Sequence, residues 1–156
     1  MPLINCLING TSYSESGKKI SIKGSRSEQV LFFKIDGCYI VSSDSRKCDL
    51  LIAYSDSEWR FLILAELKGK KIDDAIEQFK QTIGNSRFKY IFDKTLCSSC
   101  DKKCRKIFVI VHGGSAPHNS SDLKDEIKKK YGFYLELVPR NCNLGDTIMR
   151  YKKYKD

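Results

Sequence analysis

Cys48-Asp49-Leu50-Leu51-Ile52-Ala53-Tyr54, then Ser55-Asp56-Ser57-Glu58, then Trp59-Arg60-Phe61-Leu62-Ile63-Leu64-Ala65-Glu66-Leu67-Lys68 is the stretch on which the reading of the chain turns. Two apolar runs of strand length flank four polar residues, which predicts an antiparallel hairpin. With residues 55–58 as a four-residue loop, Tyr54 pairs with Trp59 and Asp49 with Leu64. Residues two apart on a strand share a face, so Glu66 and Lys68 point the same way. Asp49 joins that face as the diagonal neighbour of Glu66, roughly 7 Å away between Cα atoms. Charges at the end of a run as apolar as residues 61–65 are costly to bury without a purpose.

Outward from the hairpin, helical and strand periods alternate. After Gly69, the apolar residues Ile72, Ala75, Ile76, Phe79 and Ile83 recur at helical spacing. Asp73 and Asp74 fall in the first turn, where carboxylates suit the helix dipole. Residues 106–111 read as a strand, 121–131 as a helix stopped by Gly132, and 133–138 as a last strand before Pro139. A short helix is expected over 147–151. Upstream, residues 19–23 and 29–35 read as strands, and Asp36-Gly37 between Phe32-Phe33-Lys34-Ile35 and Cys38-Tyr39-Ile40-Val41 predicts a second hairpin. The order of hairpins, helix, strand, helix, strand makes the fold class α/β, a mixed central β-sheet flanked by helices.

The chain has 156 residues, 41% hydrophobic and 30% charged, and neither repeats nor low-complexity segments. Residues 1–156 therefore read as one domain, with a Cys-containing insertion at about 95–105. No recognisable export signal and no apolar run of membrane-spanning length is expected to operate, so the partners do not include a membrane. Seven cysteines, an odd number with three of them clustered, suit reduced thiols or a metal site in a cytoplasmic, reducing setting better than a disulfide framework. Cys38 and Cys48 read as small core residues. The net charge of +9, from 28 basic and 19 acidic residues, favours a polyanion such as nucleic acid, whose condensed counterions are released on binding.

Two carboxylates and a lysine converging at a strand end suit phosphodiester hydrolysis. Hard oxygen ligands hold Mg²⁺ or Mn²⁺, which polarises phosphate and acidifies a bound water. Lys68 would orient that water and offset developing charge, so its removal should harm turnover more than metal binding. The pattern acid, any residue, lysine is common: it occurs at Glu66, Asp101, Asp122 and Glu126. Among these, Glu66 alone ends an apolar strand, follows an aspartate-bearing strand and leads into an amphipathic helix.

Asp49, a gap of sixteen residues, then Glu66-Leu67-Lys68 and a helix bearing Gln78 resembles the PD-(D/E)XK superfamily of restriction endonucleases, junction resolvases and repair exonucleases, over about residues 30–85. The resemblance implies a restriction endonuclease-like core in which Asp49 and Glu66 bind metal, Lys68 assists the attacking water and Gln78 supports the site. Asp49 follows Cys48 in place of the proline of the motif. Many members of the family also carry an acid on a helix before the first catalytic strand, and here the nearest candidate is Glu28 in a strand-like region. The resemblance implies a metal-dependent nuclease acting on nucleic acid, most readily DNA, and double-strand cutting by so small a domain would call for a homodimer.

Cys97, Cys100 and Cys104 lie within eight residues and, with Cys142 as fourth ligand, could form a structural Zn²⁺ site, with His112 or His118 as weaker fourth candidates. An iron-sulfur cluster is a lesser alternative that the resemblance raises. His112 and His118 otherwise read as members of an exposed turn. Arg150-Tyr151-Lys152-Lys153-Tyr154-Lys155 mixes cations with aromatic rings suited to phosphates and bases. A catalytically silent nucleic-acid-binding module and a zinc-stabilised interaction protein are the alternative functions.

Overall fold

In the computed structural model, which describes residues 2–41, 46–67, 71–96, 101–113 and 120–154, a six-stranded mixed sheet forms the middle layer. Its strands are β1 (Leu7–Ile8), β4 (Gln29–Lys34), β5 (Leu50–Ser55), β6 (Trp59–Glu66), β7 (Lys103–Val111) and β8 (Tyr134–Val138), in that spatial order. β1, β4, β5 and β6 pair antiparallel, whereas β6–β7 and β7–β8 are parallel. Helices α1 (Ile72–Gly84), α2 (Ser86–Leu96) and α3 (Ser120–Tyr131) supply the crossovers. A smaller sheet of β2 (Ser12–Glu15), β3 (Lys18–Ser21) and β9 (Asn141–Asn143), with helix α4 (Gly145–Lys153), contributes the third layer. The expected mixed α/β sheet with flanking helices is present. No helix among the described residues is long and apolar enough to cross a membrane.

The central strands are apolar throughout because both of their faces are covered, as parallel pairing with helical crossovers requires. Leu62, Leu64, Phe108 and Ile110 point to one face, where Phe79, Phe88 and Ile127 meet them. Phe61, Ile63, Val109 and Val111 point to the other, against Ile20, Ile22, Leu144 and Ile148. Phe79 occupies an aromatic knot, stacked on Phe108 at 4.5 Å and edge-on to Tyr131 and Phe133 at 5.5 and 4.9 Å.

Three local expectations are corrected. The Asp36-Gly37 hairpin does not form: β4 already has β1 on one edge and β5 on the other, so residues 38–41 find no free edge. They turn back instead, with the Cys38 and Ile40 amides donating to the Ile35 carbonyl, and Tyr39 and Ile40 enter the core. Secondly, the β5–β6 register is two residues tighter than a four-residue loop would give, with Tyr54 opposite Phe61. The Asp56 carboxylate causes this by accepting the Glu58 and Trp59 amides at 2.8 and 2.7 Å, closing the turn on Ser57-Glu58. Thirdly, Cys6 and Cys38 form a disulfide and Cys104 is disulfide-bonded, which differs from the reduced thiols expected from the cysteine pattern. Cys38 is thus a cross-link, whereas Cys48 is a buried free thiol as anticipated.

At the hairpin end of the sheet, Lys152 from α4 reaches into a polar cluster. Its ammonium forms an ion pair with Asp56 and donates to the Tyr54 hydroxyl at 2.7 Å, and that hydroxyl donates to Glu28 at 2.6 Å. Burial works to raise the Asp56 carboxyl, but the hydrogen bonds from Lys152, Trp59 and Glu58 outweigh it and hold the group at about 2, below its ordinary 3.8. A carboxyl depressed by folding adds stability that is complete above its unfolded pKa and disappears as pH falls towards the folded one. The stability difference between wild type and Asp56→Asn should therefore shrink from about pH 4 down to about pH 2, and urea midpoints measured across that window test it. A difference that stays constant with pH would remove Asp56 from the acid response.

Candidate active site

Asp49 is the last residue before β5 and Glu66 the last of β6. The pair Leu50–Ala65 ends the ladder, which sets Asp49 level with Glu66 across the two strands. Directly opposed antiparallel residues lie about 5 Å apart at Cα, closer than the diagonal placement expected from sequence. The register slip is an even number, so Asp49 keeps its face. Both side chains are buried, at 2% and 0% exposure. They point to the α1 side of the sheet, shared with Leu51 and Leu64.

Neighbouring groups hold each carboxylate in place. Asp49 Oδ2 accepts the Leu67 amide at 2.7 Å, so the chain leaving β6 clamps the acid of the adjoining strand. Gln78, in the middle of α1, turns its amide nitrogen to the two oxygens of Glu66 at 3.0 and 2.7 Å. One turn on, Thr82 donates its hydroxyl to the Gln78 carbonyl at 2.8 Å and accepts the Cys48 amide at 2.8 Å. A single helix thereby fastens to both acid-bearing strands. Burial pushes the Cys48 thiol well up, with Glu66 and Asp49 adding to the effect, so Cys48 serves as packing beside the acids and not as a thiolate.

Sequence reasoning overlooked the basic groups here. The β2–β3 hairpin turns through Ser16 and Gly17, both at positive φ of 52° and 72°, and its first return residue is Lys18. Lys18 is 8% exposed. Burial lowers the affinity of its amine for a proton, Arg140 adds to that, and the charges of Glu66 and Asp49 oppose it. The Lys19 amide donates to the Arg140 carbonyl at 2.6 Å, tying the hairpin to the segment after β8. A Cβ at position 113 would lie 2.8 Å from the Arg140 guanidinium, so the bare Gly113 gives that side chain room to approach the end of β7. His112 prolongs β7 by donating its amide to the Val138 carbonyl at 2.9 Å. It lies two residues past Ile110, the partner of Glu66, and hence on the same face as Glu66. Its Nδ1 is buried and has no hydrogen-bond partner among the described residues. The short Ser16-Gly17 turn was a readable hairpin signal; the docking of that hairpin against the acids was not.

Of the sequence candidates, Asp49, Glu66 and Gln78 come together. Lys68 lies outside the described residues, as do Cys97, Cys100 and His118. Glu28 does not join the site: it binds Tyr54 and the Ser25 amide, and Tyr54 is five residues along β5 from Asp49, about 16 Å away. Cys104 belongs to β7 and is disulfide-bonded, so in this state it is not a thiolate ligand, and Cys142 in β9 is a half-buried free thiol packed against the second core. Among the described residues no group of three or more His, Cys, Asp or Glu is placed to hold a metal ion. The Asp49–Glu66 pair supplies two hard carboxylate donors, a set suited to Mg²⁺ or Mn²⁺ and unsuited to softer metals.

No protein-family model matches the chain, and comparison with curated proteins and with solved structures likewise gave no match.

Proposed function

We propose that the chain is a metal-dependent nuclease that hydrolyses phosphodiester bonds in nucleic acid, most readily DNA, with Asp49 and Glu66 as its metal-holding acids. The observation that carries this reading is the opposition of two buried carboxylates at the end of adjacent strands, with Gln78 bound to one of them. Two like charges buried on directly opposed residues, with Cα atoms about 5 Å apart, are unfavourable alone. A divalent cation held by Asp49 and Glu66 would turn that cost into binding energy. The strand order β4–β5–β6–β7, antiparallel twice and then parallel, with α1 following the second acid, agrees with the restriction endonuclease-like core that the motif suggested. The net charge of +9 supports a polyanionic substrate.

The bound metal would supply Lewis acidity towards a phosphate oxygen and a more acidic water. The protein's part is positional. Asp49 is held in orientation by the Leu67 amide and Glu66 by Gln78. Lys18 offers positive charge beside them for the phosphate, and Lys68, two residues past Glu66 in the sequence, is proposed to orient the attacking water. Arg140, near Lys18, adds to the attraction for an anion.

The test is cleavage of labelled duplex, single-stranded and branched DNA and of RNA, with Mg²⁺, Mn²⁺ or EDTA. Cutting that needs the metal supports the assignment; no cutting of any substrate would favour a silent nucleic-acid-binding module. Lys18→Met should lower turnover by about ten- to a hundredfold, because charge stabilisation in the transition state is lost. Metal affinity, read by calorimetry, should not weaken, since a cation has been removed from the metal's surroundings. Weaker metal binding in that variant would assign Lys18 to site structure instead.

A further inference from the structure

A groove of about 540 Å³ lies along β8, the edge strand of the central sheet, between α3 on one face and α4 on the other. Its wall is aromatic. Tyr134 and Tyr151 meet at 4.8 Å, and Tyr151 meets Tyr154 at 5.2 Å. Tyr154 is 51% exposed and so offers a ring to an incoming group. Its backbone carbonyl accepts Arg105 at 2.8 Å, which fixes the end of α4 in place.

The rim is cationic. Lys124 and Lys128 face the groove from α3, and Lys128 sits 3.7 Å above the Tyr134 ring. Arg150 stands opposite on α4. The floor is different in kind: Glu136 is 7% exposed, accepts the Tyr151 hydroxyl at 2.5 Å and pairs with Arg150 at 3.2 Å. A carboxylate offers about four acceptor positions, so these two donors leave capacity for more.

We propose that this groove binds a single-stranded segment of nucleic acid, with a base stacked on Tyr154, the base's N–H groups directed at Glu136, and flanking phosphates on Lys124, Lys128 and Arg150. Each part has a reason. Base stacking on an exposed ring and cations along the backbone are what sequence-tolerant strand binding uses. The acidic floor separates this occupant from a sulfated polymer or a lipid headgroup, which would bring only further acceptors to Glu136. A volume of about 540 Å³ lies in the range that takes a ligand of nucleotide size. The groove shares no lining residue with the acid site, so its occupant need not compete for Asp49 and Glu66.

The inference does not rest on catalysis, and its test is run in EDTA. Fluorescence anisotropy of a labelled mixed-sequence 12-mer DNA strand would be compared for wild type, Tyr154→Ala and the double variant Lys124→Glu with Lys128→Glu. Tyr154→Ala should weaken binding by about tenfold or more. The double variant should weaken it and flatten its dependence on salt. Lys128 is exposed and Lys124 only half-buried, so the double variant keeps the proposal testable even where Tyr154→Ala lowers the melting temperature. Unchanged affinity in the double variant would overturn the proposal. So would binding of the wild type to phosphatidylserine-containing vesicles with no binding to the strand. Absence of cleavage under Mg²⁺ would leave this result standing, so the two readings fail separately.

Discussion

Asp49→Asn and Glu66→Gln are each expected to reduce metal-dependent cleavage by about a thousandfold or more, against about ten- to a hundredfold for Gln78→Ala, which removes only an orienting partner. Both substitutions keep side-chain volume and remove one charge. In EDTA, neither should shift the melting temperature by more than a few degrees. Each relieves repulsion between two buried carboxylates but gives up attraction to Lys18, and the amide oxygen at position 49 can still accept the Leu67 N–H. Activity and stability thus move apart, and single-turnover cleavage beside a thermal melt reads both. A variant that folds as well as wild type, binds nucleic acid and still cuts at the normal rate would exclude that residue from the chemistry. A variant that loses activity because it has unfolded would show in the melt.

Phe79→Ala carries the largest expected cost in stability, about 3–5 kcal/mol. The ring is fully buried and touches Phe108, Tyr131 and Phe133, so its removal leaves a void bounded by rigid aromatic neighbours that cannot close over it. For a chain of this length each kcal/mol shifts the melting temperature by about 2–4 °C, so a fall of about 10 °C is expected. The urea midpoint should fall with an unchanged slope. Phe79 is adjacent to Gln78, and looser packing of α1 should also loosen the grip on Glu66. Phe79→Leu, which refills much of the void, should recover both. A loss under about 1 kcal/mol would mean that the aromatic knot can repack.

Periodicity made much of the architecture legible. β6 reads as a strand because it is apolar without interruption, and α1 reads as a helix because Ile72, Ala75, Ile76, Phe79 and Ile83 form one stripe. The acid pair was legible for a subtler reason. A register error of two residues leaves every side chain on its own face, so the wrong loop length still brought Asp49 to Glu66. Where competition between segments decides, local signals failed. Asp36-Gly37 is a good hairpin turn, yet β1 and β5 had already occupied both edges of β4. The Cys6–Cys38 pairing joins residues 32 apart, and no spacing rule would have selected it. Lys18 was missed because its importance is wholly tertiary. As text it is one of 28 basic residues, and the third layer alone distinguishes it.

That third layer also bears on the order of assembly. β3 pairs in parallel with β9, joining Lys19 to Asn141 and Ser21 to Asn143. Such a contact closes a loop of more than a hundred residues, the kind of non-local pairing that forms slowly and late. The acids and α1 lie within residues 49–84 and can meet early, while the hairpin tip bearing Lys18 has no docking strand until residues 141–143 have been synthesised and have reached the sheet. A nascent chain would therefore hold its paired carboxylates before it acquired the buried cation beside them, and the centre would mature in two stages.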